Sequence, residues 1–225
     1  MWAYTLATLR NARRSPLTWV LLGLGTFFGW FATTLAVLAL DEAGTQALPL
    51  TLSTAHLAGV FLTLWLVGRG LDEDRTSGFA AAADVTVGGP QGRVAGRWLG
   101  AVLAGTALAC AVGLLIGTTS KHPSPPLIHL LSTSSLTTAL VGAWGMLLGT
   151  LWRGGGATLA AFILWVLGHL PWGAAPFLEG LAGRALGAWL PGPRVADATV
   201  ALGYTSAAVA GLLLIALALS RPADA

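Results

Sequence analysis

An all-α, polytopic membrane protein is the fold class this sequence predicts, and three observations carry the prediction. Hydrophobic residues make up 55% of the 225-residue chain and charged residues only 9%, against roughly 25% charged in typical soluble proteins. The mean hydropathy is +0.75, so there are too few charges to cover a water-facing surface. The apolar residues also gather into several long stretches, and about 18 or more in succession read as a membrane span. A transmembrane β-barrel would need short segments of alternating hydrophobicity, which the pattern does not supply.

The elements follow in order as one transmembrane domain over 1–225. Residues 1–15 are expected to form an interfacial helix. Trp2, Leu6 and Leu9 share one face at helical spacing, while Arg10 and Arg14 share another. The bland alternative is a frayed basic flank. The apolar run after Arg13-Arg14 is about 25 residues, too long for the 7–15-residue core of a signal peptide, so it reads as a retained first span. Six spans are expected, at about 16–40, 49–67, 94–117, 127–152, 157–170 and 197–220. The fifth is only about 21 Å long at 1.5 Å per residue, so it must continue through Pro171-Trp172 or end within the ~30 Å hydrocarbon core.

Eleven of the twelve cations are arginine, and their placement predicts orientation. With the N-terminus cytoplasmic, the inner side receives nine: Arg10, Arg13, Arg14, Arg69, Arg75, Arg93, Arg97, Arg153 and Arg221. Lys121, Arg184 and Arg194 fall outside. Both termini are therefore expected on the cytoplasmic side. The net charge of +3 does not point to nucleic acid, because no soluble basic domain is present to bind it.

Several chemistries are disfavoured. The single cysteine, Cys110, permits neither an internal disulfide nor a thiolate metal site. A P-loop needs a lysine after glycine; the only lysine, Lys121, follows Ser120, and Gly154-Gly155-Gly156 has none. Nucleotide hydrolysis within this chain is excluded. Ser and Thr crowd residues 131–138 beside His129, but that spacing establishes no Ser/His catalytic geometry, and such hydroxyls more often bond backbone or neighbouring helices. The spans hold no deep acid, which counts against an ion-coupled carrier without closing it, since carbonyls can bind sodium.

His56 in the second span, His129 at the outer start of the fourth and His169 at the outer end of the fifth are candidate substrate or cofactor contacts. Imidazoles on facing helices could ligate a haem; the alternative is hydrogen-bonded or interfacial histidine. Trp19, Trp98, Trp152, Trp172 and Trp189 fall near span ends and read as interfacial anchors. Gly25 and Gly29, four apart, permit close helix packing or dimerisation. The segment 171–196, apolar but broken by Pro and Gly, suggests short helices re-entering the outer leaflet.

The inner loop between spans two and three, 69–92, carries four of the nine acids: Asp72, Glu73, Asp74 and Asp84. Acids at its start and an alanine-rich body favour a short helix, which could dock in a partner's groove or simply be solvated. Here the sequence resembles the membrane subunits of ABC-2 type transporters, of the separate-subunit kind. Their first inner loop typically reads Glu-Arg-x-x-Gly, a helical stretch, a turn, and Gly-Lys opening the next span. This chain has Asp74-Arg75-Thr76-Ser77-Gly78, then Pro90-Gln91-Gly92-Arg93 and Gly96-Arg97. Asp stands for Glu, Arg for Lys, and alanines for the usual leucines. An elbow helix, six spans, inner termini and outer re-entrant helices extend the likeness along nearly the whole chain.

The resemblance implies a permease subunit of the bacterial inner membrane that couples ATP hydrolysis by a separate ATPase to export or movement of a substrate. The partners it implies are two ATPase copies, a second copy of this chain, the bilayer and, in some arrangements, a periplasmic protein. ATP and magnesium would belong to the ATPase. This chain would hold no cofactor, metal or catalytic residue and would not be an enzyme by itself. The coupling loop 71–92 would place Asp72, Glu73, Asp74, Arg75, Gly78, Arg93 and Arg97 toward the ATPase, and charge reversal at Asp74 or Arg75 would uncouple it without unfolding the permease. The alternatives are a mechanical transmitter acting on a periplasmic partner, or a haem-binding membrane anchor.

Overall fold

The computed structural model describes residues 1–39, 43–76, 89–119, 127–152, 156–167 and 195–219. Its elements, in chain order, are α1 (Trp2–Arg14), α2 (Pro16–Ala39), α3 (Ala43–Thr76), α4 (Gly89–Thr119), α5 (Leu127–Leu151), α6 (Gly156–Leu167) and α7 (Val195–Leu219). No strand occurs among the described residues. The described residues are all-helical, as expected. Among the described residues four helices, α2 to α5, are long and apolar enough to cross a membrane, where six spans are expected along the whole chain. The 12-residue α6 would reach only about 18 Å, and the described apolar part of α7 is confined to Ser206–Leu219. The expected re-entrant segment 171–196 lies outside the described residues except for Val195 and Ala196, which open α7.

The turn from α1 into α2 is set by two residues. Ser15 ends α1 in an extended conformation while its N–H donates to the Asn11 carbonyl at 2.9 Å. Its hydroxyl then accepts the Leu17 N–H at 3.2 Å, an N-cap, with Pro16 at the first helical position, where its missing N–H costs nothing. Thr18 and Trp19 secure the elbow by donating to the Ala12 and Arg13 carbonyls at 2.6 and 3.2 Å.

α1 is helical, but the face it buries is not the one its apolar spacing marks. Tyr4, Thr5, Thr8 and Ala12 pack inward, whereas Trp2 and Leu6 are 66% and 64% exposed. The inward face suits its neighbour. A methyl group on Gly96 of α4 would lie 2.5 Å from the Met1 carbonyl oxygen, and one on Gly100 would lie 2.7 Å from Thr8 Cβ. Only glycine lets the two backbones come this close, and Thr5 Oγ1 uses the approach to donate to the Gly96 carbonyl at 3.2 Å.

The centre is the α3/α4 crossing. A methyl on Gly59 would sit 2.8 Å from the Gly105 carbonyl oxygen, and one on Gly105 would sit 2.7 Å from that of Gly59. Close helix approach through small residues is the usual means of association where lipid supplies no hydrophobic drive. Leu62, Leu66, Ala101, Leu108, Ala109, Val112 and Ile116 fill the space around it, with Leu130 and Met146 of α5. α2 is peripheral, with 11% of its apolar window buried against 67% for α3 and α4. Gly25 and Gly29 face Val112 and Ile116 of α4, so that spacing serves packing within the chain.

Candidate functional site

The two helices that bracket the acidic loop are longer than the sequence suggests. α3 runs on to Thr76 and α4 begins at Gly89, at a φ of +66° that favours glycine. The reason for the extension is visible in side chains one turn apart. Arg69 Nε donates to Glu73 Oε1 at 2.5 Å, and the Arg69 guanidinium stands 5.1 Å from the centre of the Trp65 ring. Both are i,i+4 pairs that favour helix. Asp72, Glu73 and Asp74 therefore sit in the last turns of α3, and Arg93 and Arg97 in the first turns of α4.

Among these residues the structure makes one buried pair. Arg97 Nη2 donates to Asp74 Oδ1 at 2.7 Å, with side-chain exposures of 10% and 5%. The arginine stem lies on Gly70 of α3, where a methyl would come within 3.3 Å of Arg97 Cδ. Asp74 Oδ2 and Arg97 Nε are buried without a hydrogen-bond partner. A charge pair removed from water holds firmly only against its own desolvation cost, so each partner is essential to the other. Asp74 and Arg97, both expected in the coupling loop, are turned inward and joined to each other. The exposed ion pair here is Arg69 with Glu73, while Asp72 and Arg93 are half-buried. Arg75 lies on α3, but its side chain is not among those described, and Gly78 lies outside the described residues.

A second polar feature runs through the apolar centre. His56, buried at 3% exposure, has Nε2 3.0 Å from Thr133 Oγ1 of α5. Thr106 of α4 and Thr138 of α5 share a hydrogen bond of 2.9 Å, and Trp98 Nε1 donates to the Ala139 carbonyl at 3.2 Å. Thr63 Oγ1 donates to the Gly59 carbonyl at 2.8 Å. The crowd of hydroxyls in 131–138 thus binds α5 to α3 and α4. Among the described side chains, the histidine that meets it is His56, across the bundle. The side chain of His129 is not described, and His169 lies outside the described residues. No cluster of three metal-ligating side chains occurs among the described residues.

The helical spacing of Trp65, Arg69 and Glu73 was the readable sign that α3 continues past the span. The inward pairing of Asp74 with Arg97 needs the packing of α3 on α4 and has no local signature. No protein-family model matches the chain, and no curated protein matches it; the four long apolar helices among the described residues are compatible with a membrane protein.

Proposed function

We propose that this chain is the membrane subunit of an ABC-2 type transporter, working with a separate ATPase and moving or exporting a substrate. One observation supports the reading above the others. The two residues that stand at the acid of the Glu-Arg-x-x-Gly pattern and at the lysine of Gly-Lys, Asp74 and Arg97, are joined in a buried ion pair. The pair closes the base of segment 77–88, so that a push on that segment would reach α3 and α4 together. In this reading α6 and α7 are further crossings, making six. Residues 171–196 re-enter the outer leaflet, both termini are cytoplasmic in a bacterial inner membrane, and two copies of the chain assemble with two ATPases.

Purification of the tagged chain from native membranes in mild detergent, with mass spectrometry of its companions, tests the reading. A stoichiometric P-loop ATPase is expected, and Asp72→Lys, at a half-buried position outside the buried pair, should lower stimulated ATPase activity severalfold while the permease stays folded. An intact complex that reproducibly lacks an ATPase overturns the proposal. An absorption spectrum of the same sample bears on the alternative: a Soret band would direct attention to His56.

A further inference from the structure

Two cavities adjoin where α1, α2 and α3 meet. The smaller, about 220 Å³, lies under the elbow and is lined by Asn11, Arg14, Arg69, Glu73 and Arg97, among others. That volume is below the roughly 300–1,000 Å³ of drug-sized pockets. Three arginines line it with one carboxylate, Glu73, while Asp74 is already joined to Arg97. Glu73 is already taken by Arg69, and Arg14 makes no ion pair among the described residues. Arg97 is nine-tenths buried, with Nε lacking an acceptor. With Glu73 on Arg69 and Asp74 on Arg97, the cavity keeps an excess of one positive charge, that of Arg14, and one buried donor without an acceptor, Arg97 Nε. The larger cavity, about 640 Å³, is a lateral groove lined mainly by apolar side chains such as Leu17, Leu21, Phe61, Leu64 and Phe162, with the carboxylate of Asp72 also in its lining. Trp65, Arg69 and Glu73 line both.

We propose that this composite cavity is a site for an anionic phospholipid, with its phosphate under the elbow among Arg14, Arg69 and Arg97 and an acyl chain along the α2, α3 and α6 groove. An anion in the small cavity supplies the acceptor that Arg97 Nε lacks and the counter-charge that Arg14 lacks. A hydrocarbon chain in the groove covers the apolar surface that continues from it. The exposed Trp2 and Leu6 of α1 fit the same setting, since an amphipathic helix of this kind lies at the headgroup boundary. Basic pockets between spans are a known way of holding anionic headgroups. The inference does not depend on the ATP-driven reading and would survive its failure.

The test is native mass spectrometry and thermal unfolding of the detergent-purified chain with added phosphatidylglycerol, with phosphatidylcholine of the same acyl chains, or with sodium phosphate alone. Phosphatidylglycerol should be retained and raise Tm, with phosphatidylcholine much weaker. Arg14→Gln, an exposed position that leaves the fold intact, should lower phosphatidylglycerol retention about fivefold, as expected for one arginine near an anionic surface. Arg69→Gln should do the same. Leu21→Trp, which fills the groove, should weaken long-chain phosphatidylglycerol more than a short-chain one. Equal retention of the two headgroups, unchanged retention in both arginine variants, or full stabilisation by inorganic phosphate alone would each overturn the lipid assignment.

Discussion

Removing one partner of the Asp74/Arg97 pair is the sharpest perturbation the structure offers. Their side chains are 5% and 10% exposed and joined at 2.7 Å, so the survivor of a single substitution would be a buried, uncompensated charge. Breaking such a pair costs about 3–5 kcal/mol. The lower end applies here, because Asp74 Oδ2 and Arg97 Nε are already without partners and the pair is not fully satisfied. Asp74→Leu and Arg97→Met should each destabilise the chain by about 3 kcal/mol, roughly a hundredfold in the folded-to-unfolded ratio. The double variant Asp74→Leu with Arg97→Met removes both charges and replaces them with apolar volume, so it should return to within about 1 kcal/mol of the parent. Equilibrium unfolding in a denaturing-detergent series, run as a double-mutant cycle, measures the coupling. Single variants as stable as the parent, or a double variant whose loss equals the sum of the two singles, would refute the view that this pair holds α3 to α4.

Further predictions concern the close contacts and the polar seam. Gly59→Ala and Gly105→Ala place a methyl against the opposing carbonyl at 2.8 and 2.7 Å; each should cost about 1–3 kcal/mol by overpacking in the same unfolding assay. Gly96→Val should lift α1 from α4 while leaving the core helices intact, seen as faster amide exchange in α1 with little change in α4. Thr133→Val leaves the His56 Nε2 contact unmade and should cost about 0.6–2 kcal/mol, with helicity by circular dichroism unchanged. Gly211→Ala meets nothing within 4 Å and should be neutral or raise stability by up to about 1 kcal/mol through helix propensity; a clear loss there would place an unseen surface against α7.

The helices were legible because their signals are local. The apolar runs of α2 to α5 and the Ser15-Pro16 boundary can be read from residues a few positions apart. The end of α3 was missed because the charge density of 69–76 resembles a solvated loop, whereas Arg69 and Glu73 pair along one helix face and Asp74 turns inward. The buried face of α1 was missed for a related reason. Its apolar moment points Trp2 and Leu6 outward, as an interfacial helix in a membrane can, and α1 meets α4 through threonines whose suitability depends on Gly96 and Gly100 nearly a hundred residues away. In an apolar solvent, large hydrophobic side chains lose their value as markers of the inside. Small and hydroxyl residues take over that role, and their partners are set by tertiary contact.

The same reasoning bears on how this end of the bundle could transmit a displacement. Segment 77–88 is anchored on one side by the last turns of α3 and on the other by the first turns of α4, and the Asp74/Arg97 pair ties these turns together. Below the pair, α3 and α4 approach to backbone contact at Gly59 and Gly105, and α1 is pressed on α4 at Gly96 and Gly100. A close-packed unit of this kind resists bending and shifts between discrete arrangements rather than deforming smoothly. A force on 77–88 would then move α1, α3 and α4 together against the less buried α2, with the polar seam to α5 as the next contact to yield. If the pair is instead replaced by apolar residues, stability is retained but the tie becomes non-directional. An otherwise stable Asp74→Leu/Arg97→Met chain should therefore separate folding from coupling: if the proposed ATPase partner exists, this chain should still assemble with it yet show weakened stimulation. Wild-type stimulation in that variant would mean that α3 and α4 are held as a unit by their glycine contacts alone.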